Sequence, residues 1–173
     1  MLMNLISSNS VEIKELNLRQ ILIRGDHTPA LLKLVKSNFK ISLPKNNLEI
    51  EEDKNVICSK SSFDQWNIIF LQDTKIEIDT VIDKINENEK LLATDYSEGQ
   101  IYLEVTGDNK IAVLNKITHF DFREQKFPSF TSAQTLIGRV DCSIYNLKNK
   151  MLITCNKSFG DHLKNQLIDA IKF

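Results

Sequence analysis

The sequence predicts an α+β protein built from two similar halves, each combining a small antiparallel sheet with helices. Short segments of alternating apolar residues recur along the chain, and stretches with helical apolar spacing separate them. A strand that ends in Gly-Asp and leads into a helix occurs twice, at Gly25 and at Gly107, a separation of nearly half the chain. We therefore expect one domain, residues 1–173, made of halves at about 15–90 and 91–173.

The first half is predicted to open with a strand over 15–25, where apolar residues mostly alternate. A helix should follow, because Thr28 or Asp26 can cap it and Pro29 suits its first turn. Its apolar face ends before Leu43, and it comprises Leu31, Leu32, Leu34 and Val35. The remaining predicted elements of this half are strands near 48–59 and 65–71 and a helix around 78–85.

The second half is predicted to repeat this order. Strands near 91–96 and 100–105 precede the second Gly-Asp turn. After the turn we predict a helix around 111–117, a strand pair that includes 136–141, a strand at 151–155 and a helix at 159–171. Each half then reads strand, Gly-Asp turn, helix, two or three strands, helix. That order is typical of a split β-α-β or ferredoxin-like arrangement with helices on one face of its sheet.

The composition indicates an ordinary globular chain. Of its 173 residues 42% are apolar and 26% charged, with a net charge of -1. Binding to nucleic acid through overall charge is disfavoured, and an RNA-binding module ranks last because no RNP-like run is present. No apolar run reaches the roughly 20 residues of a membrane span, and the apolar start at 1–6 is too short for a signal peptide. We expect a cytoplasmic location.

No motif points to a bound cofactor, a metal or a catalytic group. The Gly-Asp turns lack the Gly-Lys-Ser/Thr of a phosphate-binding loop, and they fit helix capping by Asp better. No nucleophile signature occurs, and the acidic run 49–53 lacks the glycine of a calcium loop. No histidine or cysteine has a second one at the sequence spacing typical of metal ligands. These residues are His27, His119, His162, Cys58, Cys142 and Cys155. We therefore predict solvated or capping histidines, buried or half-buried free thiols, and no catalytic, cofactor-binding or metal residues.

Asp141 is the one carboxylate that could contact a ligand, since an acid is less expected inside a strand pair than at a loop tip. The alternative is an outward-facing strand residue. Arg139 lies two positions earlier, on the same face if the strand is regular, and pairing between the two would account for both.

A segment rich in phenylalanine, residues 118–130, lies between a predicted helix and a predicted strand. It has four phenylalanines and no clean period. Long irregular loops in compact domains often contact partners. Aromatic side chains also fix a loop to its own core, and the two interpretations stay open.

The residues from about 60 onward resemble the gamma subunit of heterotetrameric sarcosine oxidase. The most specific piece is the Phe-Pro at 127–128 followed by Ala-Gln-Thr at 133–135, which leads to Gly138 and Asp141. The segments Asp-Gln-Trp at 64–66 and Thr-Asp-Tyr-Ser at 94–97 are also similar. The resemblance covers about residues 60–171.

This resemblance implies the fold of the folate-binding aminomethyltransferase of glycine cleavage, the T protein. It implies an accessory role in the oxidative demethylation of sarcosine to glycine, with the one-carbon unit passed to tetrahydrofolate. The partners would be flavin-containing alpha and beta subunits and a small zinc-binding delta subunit. FAD, FMN, NAD and tetrahydrofolate would be held by those partners and none by this chain. Where the T protein has two acidic residues after its glycine turn, this chain has Asp141 and then Cys142.

Two functions follow as hypotheses. The first is a non-catalytic gamma-like subunit whose second half packs against a flavin-containing partner. The second is a stand-alone folate-binding or aminomethyltransferase-like protein with Asp141 near the pterin.

Overall fold

The computed structural model of the protein describes residues 3–8, 10–72 and 76–172, so the first two residues of the apolar start lie outside the described residues. The chain forms two compact units: unit 1 comprises Met1–Asn17 and Gly99–Phe173, and unit 2 comprises Leu18–Glu98. These boundaries differ from the predicted halves, since the N-terminal residues belong with the C-terminal half. That the chain is a single domain stays a prediction.

Unit 2 is a five-stranded antiparallel sheet with two helices. Its elements are β3 (Arg19–Gly25), α1 (Pro29–Phe39), β4 (Ile50–Asp53), β5 (Val56–Ser62), β6 (Gln65–Phe70), α2 (Ile78–Asn86) and β7 (Leu91–Asp95). The strand order is β4-β5-β6-β3-β7. The helices and one face of the sheet share a core that includes Ile23, Leu31, Trp66, Ile68 and Val81.

Unit 1 is a six-stranded antiparallel sheet, also with two helices. Its elements are β1 (Met3–Ser8), β2 (Val11–Leu16), β8 (Gln100–Thr106), α3 (Lys110–Leu114), β9 (Ser132–Ile137), β10 (Val140–Asn146), β11 (Lys150–Asn156) and α4 (Gly160–Lys172). The strand order is β1-β2-β8-β11-β10-β9. The core includes Leu103, Ile144, Ile153, Leu163 and Leu167.

The two sheets have the same strand order when the strands that end in Gly-Asp are matched. Unit 2 runs β7-β3-β6-β5-β4, and unit 1 runs β2-β8-β11-β10-β9 with β1 added outside β2. The strand of unit 1 that corresponds to β7 is therefore β2, which comes from the N-terminal end of the chain. The α+β class with antiparallel sheets is confirmed.

Local signals explain how α1 begins and ends. Thr28 is its N-cap and accepts a hydrogen bond from the N–H of Leu31 at 3.2 Å, and Pro29 occupies the first turn. The helix ends at Phe39, four residues before the predicted stop at Leu43. Lys40 adopts a left-handed conformation there and closes the helix with a bond from its N–H to the carbonyl of Lys36.

Two predicted strands are wrong in their extent. The predicted strand over 15–25 is two strands in different units, β2 and β3, with Asn17 and Leu18 between them. The two strands have different partners, since β2 pairs with β8 whereas β3 pairs with β6 and β7. The predicted strand over 48–59 is the hairpin of β4 and β5, whose two-residue turn is Lys54-Asn55.

Candidate functional site

The hairpin of β9 and β10 holds both residues that the sequence singled out. Asp141 lies in β10 opposite Leu136 and is exposed, which agrees with an outward-facing strand residue. Arg139 is not on the same strand, so the predicted pairing on one strand face is wrong. It occupies the two-residue turn with Gly138, and both residues have positive φ, 68° and 54°. The hairpin reverses there because such a tight turn needs two left-handed residues.

A concave groove of about 650 Å³ lies beside this hairpin tip in unit 1. Its walls come from the loop after α3, the tip of the hairpin and the first two turns of α4. The polar or basic side chains that line it are Asn115, Lys116, Thr118, His119, Arg139, His162 and Gln166. None of its lining residues is acidic. The structure thus brings together two histidines that the sequence analysis treated as isolated.

Hydrogen bonds connect the three walls of the groove. The N–H of Gly138 donates to the carbonyl of Ile117 at 2.8 Å, and the hydroxyl of Thr118 donates to the carbonyl of Leu136 at 2.6 Å. His162 Nε2 lies 3.1 Å from the carbonyl oxygen of Gly138. A Cβ at Gly138 would lie 2.8 Å from Cγ of Gln166, so the turn packs closely on α4. The groove is therefore built into unit 1.

The aromatic loop, residues 118–130, is fixed mainly to its own core. Phe120, Phe122 and Phe127 form a cluster of edge-to-face pairs with ring centroids 5.0, 5.2 and 5.9 Å apart. Phe122 and Phe127 are buried, and Phe120 packs against the same core. Phe130 is the exception, with 41% of its surface exposed. The structure thus favours the core interpretation for three of the four phenylalanines.

The Gly-Asp turns serve the close approach of two strands. At Gly25 φ is 131° and a Cβ would lie 2.2 Å from the carbonyl oxygen of Lys90. At Gly107 φ is 107° and a Cβ would lie 1.8 Å from the carbonyl oxygen of Ser10. Only glycine fits such positions. Capping by the Asp residues is wrong, because the N-cap residues are Thr28 for α1 and Asn109 for α3.

The three cysteines are free and buried, as predicted. Burial raises the pKa of the Cys58 thiol. Cys142 and Cys155 are directly opposite each other on β10 and β11, and the hydrogen bond between their side chains, followed by burial, raises the pKa of Cys142. The same hydrogen bond lowers the pKa of Cys155, against the effect of burial. Cys58 and Cys142 are therefore poor nucleophiles in the folded protein, since the thiolate is the reactive form.

His27 lies against Trp66 with ring centroids 5.8 Å apart, and the Trp66 indole donates to the carbonyl of Pro44 at 3.2 Å.

Within residues 3–8, 10–72 and 76–172, no three His, Cys, Asp or Glu side chains are placed to hold a metal ion. In that same part of the chain no helix has the length and apolarity to cross a membrane.

Comparison with solved structures places the fold. A chain of the heterotetrameric sarcosine oxidase from Corynebacterium sp. U-96 matches with a TM-score of 0.85 and 17% sequence identity, over 98% of this chain and 87% of that chain. The glycine cleavage system aminomethyltransferase T from Bartonella henselae matches with a TM-score of 0.62 and 9% identity. That match covers 89% of this chain and 44% of the aminomethyltransferase. No family model matches the sequence, and no curated protein matches it either.

The protein therefore has the α+β fold found in aminomethyltransferase T and in heterotetrameric sarcosine oxidase. The match to the oxidase extends over nearly the whole of both chains, whereas this chain spans less than half of the aminomethyltransferase. The resemblance drawn from about residues 60–171 is confirmed as a likeness in fold.

Proposed function

We propose that this chain is an accessory, gamma-like subunit of a heterotetrameric sarcosine oxidase acting in the cytoplasm. The observation that carries the proposal is the match to a chain of such an oxidase over 98% of this chain and 87% of the other. A match of that extent supports a role like that of the matched oxidase chain.

The inventory of side chains supports an accessory role. The thiols are buried with raised pKa values at Cys58 and Cys142, and Asp141 is exposed on a strand without a neighbouring acid in sequence. In the proposal FAD, FMN, NAD and tetrahydrofolate are held by the flavin-containing alpha and beta subunits, and a small zinc-binding delta subunit completes the assembly. The shared strand order of the two sheets also supports our inference that the units are ferredoxin-like repeats, which is the architecture expected of this family.

The contacts with the partners would use apolar side chains that unit 1 leaves exposed. Phe159, Leu136 and Phe130 are 56%, 52% and 41% exposed. Aromatic and aliphatic residues of this kind form the centres of protein interfaces. Phe120, Phe122 and Phe127 are excluded from this role, because they pack into the core of the unit.

Oxidase activity in a reconstituted complex tests the proposal. The alpha, beta and delta chains from the same genome are co-expressed with and without this chain, and oxygen consumption with sarcosine is measured. We expect yellow, flavin-containing complexes in both preparations and higher activity or stability when this chain is present. The proposal fails if the complex assembles and oxidises sarcosine equally well without this chain, and if this chain does not co-purify with the complex.

A second candidate function is favoured by the match to aminomethyltransferase T across 89% of this chain. In this case the isolated chain binds tetrahydrofolate, with Asp141 near the pterin. Ligand at about 100 times Kd stabilises a native protein by about 2.7 kcal/mol, which corresponds to a rise in Tm of roughly 5–10 °C at this size. Thermal melts of the purified chain with saturating tetrahydrofolate test it. No shift in Tm, or a shift that Asp141→Asn leaves intact, contradicts the proposed folate site.

A further inference from the structure

The groove at the tip of the β9–β10 hairpin has a chemistry that the proposed subunit role leaves unexplained. We propose that it binds a small multivalent anion that carries phosphate or carboxylate groups. The inference concerns unit 1 alone and goes beyond the proposed function.

The charge of the groove favours an anionic ligand. Lys116, Arg139, His119 and His162 line it, and none of its lining residues is acidic. The chain as a whole has 22 basic and 23 acidic residues, so a groove without carboxylates departs from its average surface. Among residues 3–8, 10–72 and 76–172, neither Lys116 nor Arg139 has a carboxylate within 4.0 Å. A concave site with one sign of charge concentrates its field and attracts the opposite ion.

The hairpin turn supplies the second step. Arg139 occupies a left-handed position, φ 68°, where Asn or Gly is usual and other residues cost of order 1 kcal/mol or more. The turn is held by the bond from Gly138 N–H to Ile117 and by the contact of Gly138 with Gln166. The base of the Arg139 side chain is thereby fixed at the rim of the groove, with its guanidinium free of any described carboxylate.

The surrounding groups supply neutral and cationic donors. Lys116 Nζ donates to the carbonyl of Ala170 at 3.0 Å, which holds the ammonium beside α4 without neutralising it. His162 Nε2 lies against the carbonyl of Gly138, and because a carbonyl oxygen only accepts hydrogen bonds, Nε2 carries the proton in this contact. The Gln166 side chain adds an amide.

The size and the donors define the class of ligand. A volume of about 650 Å³ falls within the roughly 300–1,000 Å³ of small-molecule sites. The guanidinium fork of Arg139 matches the two oxygens of a carboxylate or a phosphate, whereas lysine and histidine act as point donors. Both anion types share this recognition chemistry, so the experiment compares one representative of each.

Isothermal titration of the full chain with pyrophosphate, and separately with citrate, tests the proposal at constant ionic strength. We expect saturable binding of at least one of them, and the tighter of the two identifies the anion class. Arg139→Gln should weaken that binding by about tenfold to a hundredfold, the usual effect of losing a hydrogen bond to a charged group. Arg24→Gln is the matched control, because it removes the same charge from an exposed strand residue of unit 2.

A second variant separates loss of binding from loss of folding. Gln166→Glu keeps the size of the side chain but introduces a carboxylate into the groove, and it should weaken binding more than Arg139→Gln does. Circular dichroism checks that each variant is folded. The proposal is overturned if neither anion binds saturably at up to about 10 mM, well above the range of typical small-molecule sites. It is equally overturned if Arg139→Gln and Arg24→Gln reduce binding to the same extent.

Discussion

Phe122→Ala tests whether the aromatic loop is part of the core of unit 1. Phe122 is fully buried, and its ring centroid lies 5.0 Å from that of Phe120 and 5.9 Å from that of Phe127. Removing a buried phenylalanine ring costs about 3–5 kcal/mol, from the lost transfer energy and the cavity that remains. With a urea m-value of about 2 kcal/mol/M, the unfolding midpoint should fall by about 1.5–2.5 M. Far-UV circular dichroism in urea measures it.

The matched control lies in the same loop. Phe130→Ala changes a side chain that is 41% exposed, and we expect it to lower the free energy of unfolding by no more than about 1 kcal/mol. In a double-mutant cycle, Phe122 and Phe120 should show a coupling of about 0.5–1.5 kcal/mol from their edge-to-face contact. If Phe122→Ala and Phe130→Ala lower the free energy of unfolding by the same small amount, the aromatic loop is not part of the core of unit 1.

Three further changes test local features. Gly107→Ala should cost at least about 2 kcal/mol in urea unfolding, because φ is 107° and the new Cβ would meet a backbone oxygen at 1.8 Å. Gly160→Ala should cost less, because φ is -56° there and the new Cβ would meet only side-chain atoms of Ile101, the nearest at 3.0 Å. Thr28→Ala should lower stability by about 1 kcal/mol through loss of the α1 cap, and Thr28→Ser should retain most of it. Burial acts to raise the pKa of Asp95, but hydrogen bonds from Ser97 and a nearby guanidinium lower it overall. Its contribution is therefore present above the unfolded pKa of about 3.9 and lost as the pH falls through the lower folded value, so Asp95→Asn should flatten the acid dependence of the urea midpoint below about pH 4.

Elements with local signals could be predicted from the sequence. Helix α1 has its cap at Thr28, its proline at position 29 and a continuous apolar face, so its start needs no distant contact. Its end was less predictable, because Lys40 takes a left-handed conformation that lysine rarely adopts. The repeated strands that end in Gly-Asp could be recognised because both positions require glycine, where a Cβ would clash with a backbone carbonyl oxygen.

Features that depend on pairing between distant segments could not be predicted from local sequence patterns. β2 precedes β3 directly in sequence, yet it pairs with β8, so an apolar pattern that continues across Asn17 conceals a change of sheet. The basic groove assembles His119, Arg139 and His162 from a loop, a turn and a helix. Their spacing along the chain has no period, and the only local sign was an arginine directly after a glycine at a hairpin tip.

Native mass spectrometry of the co-expressed chains tests most directly our proposal that this chain is a subunit of a sarcosine oxidase complex. We expect an assembly whose mass includes one copy of this chain with flavin-containing partners, and dissociation that releases the intact chain. A flavoprotein assembly of the remaining chains, accompanied by this chain as a separate free species under the same conditions, would contradict it.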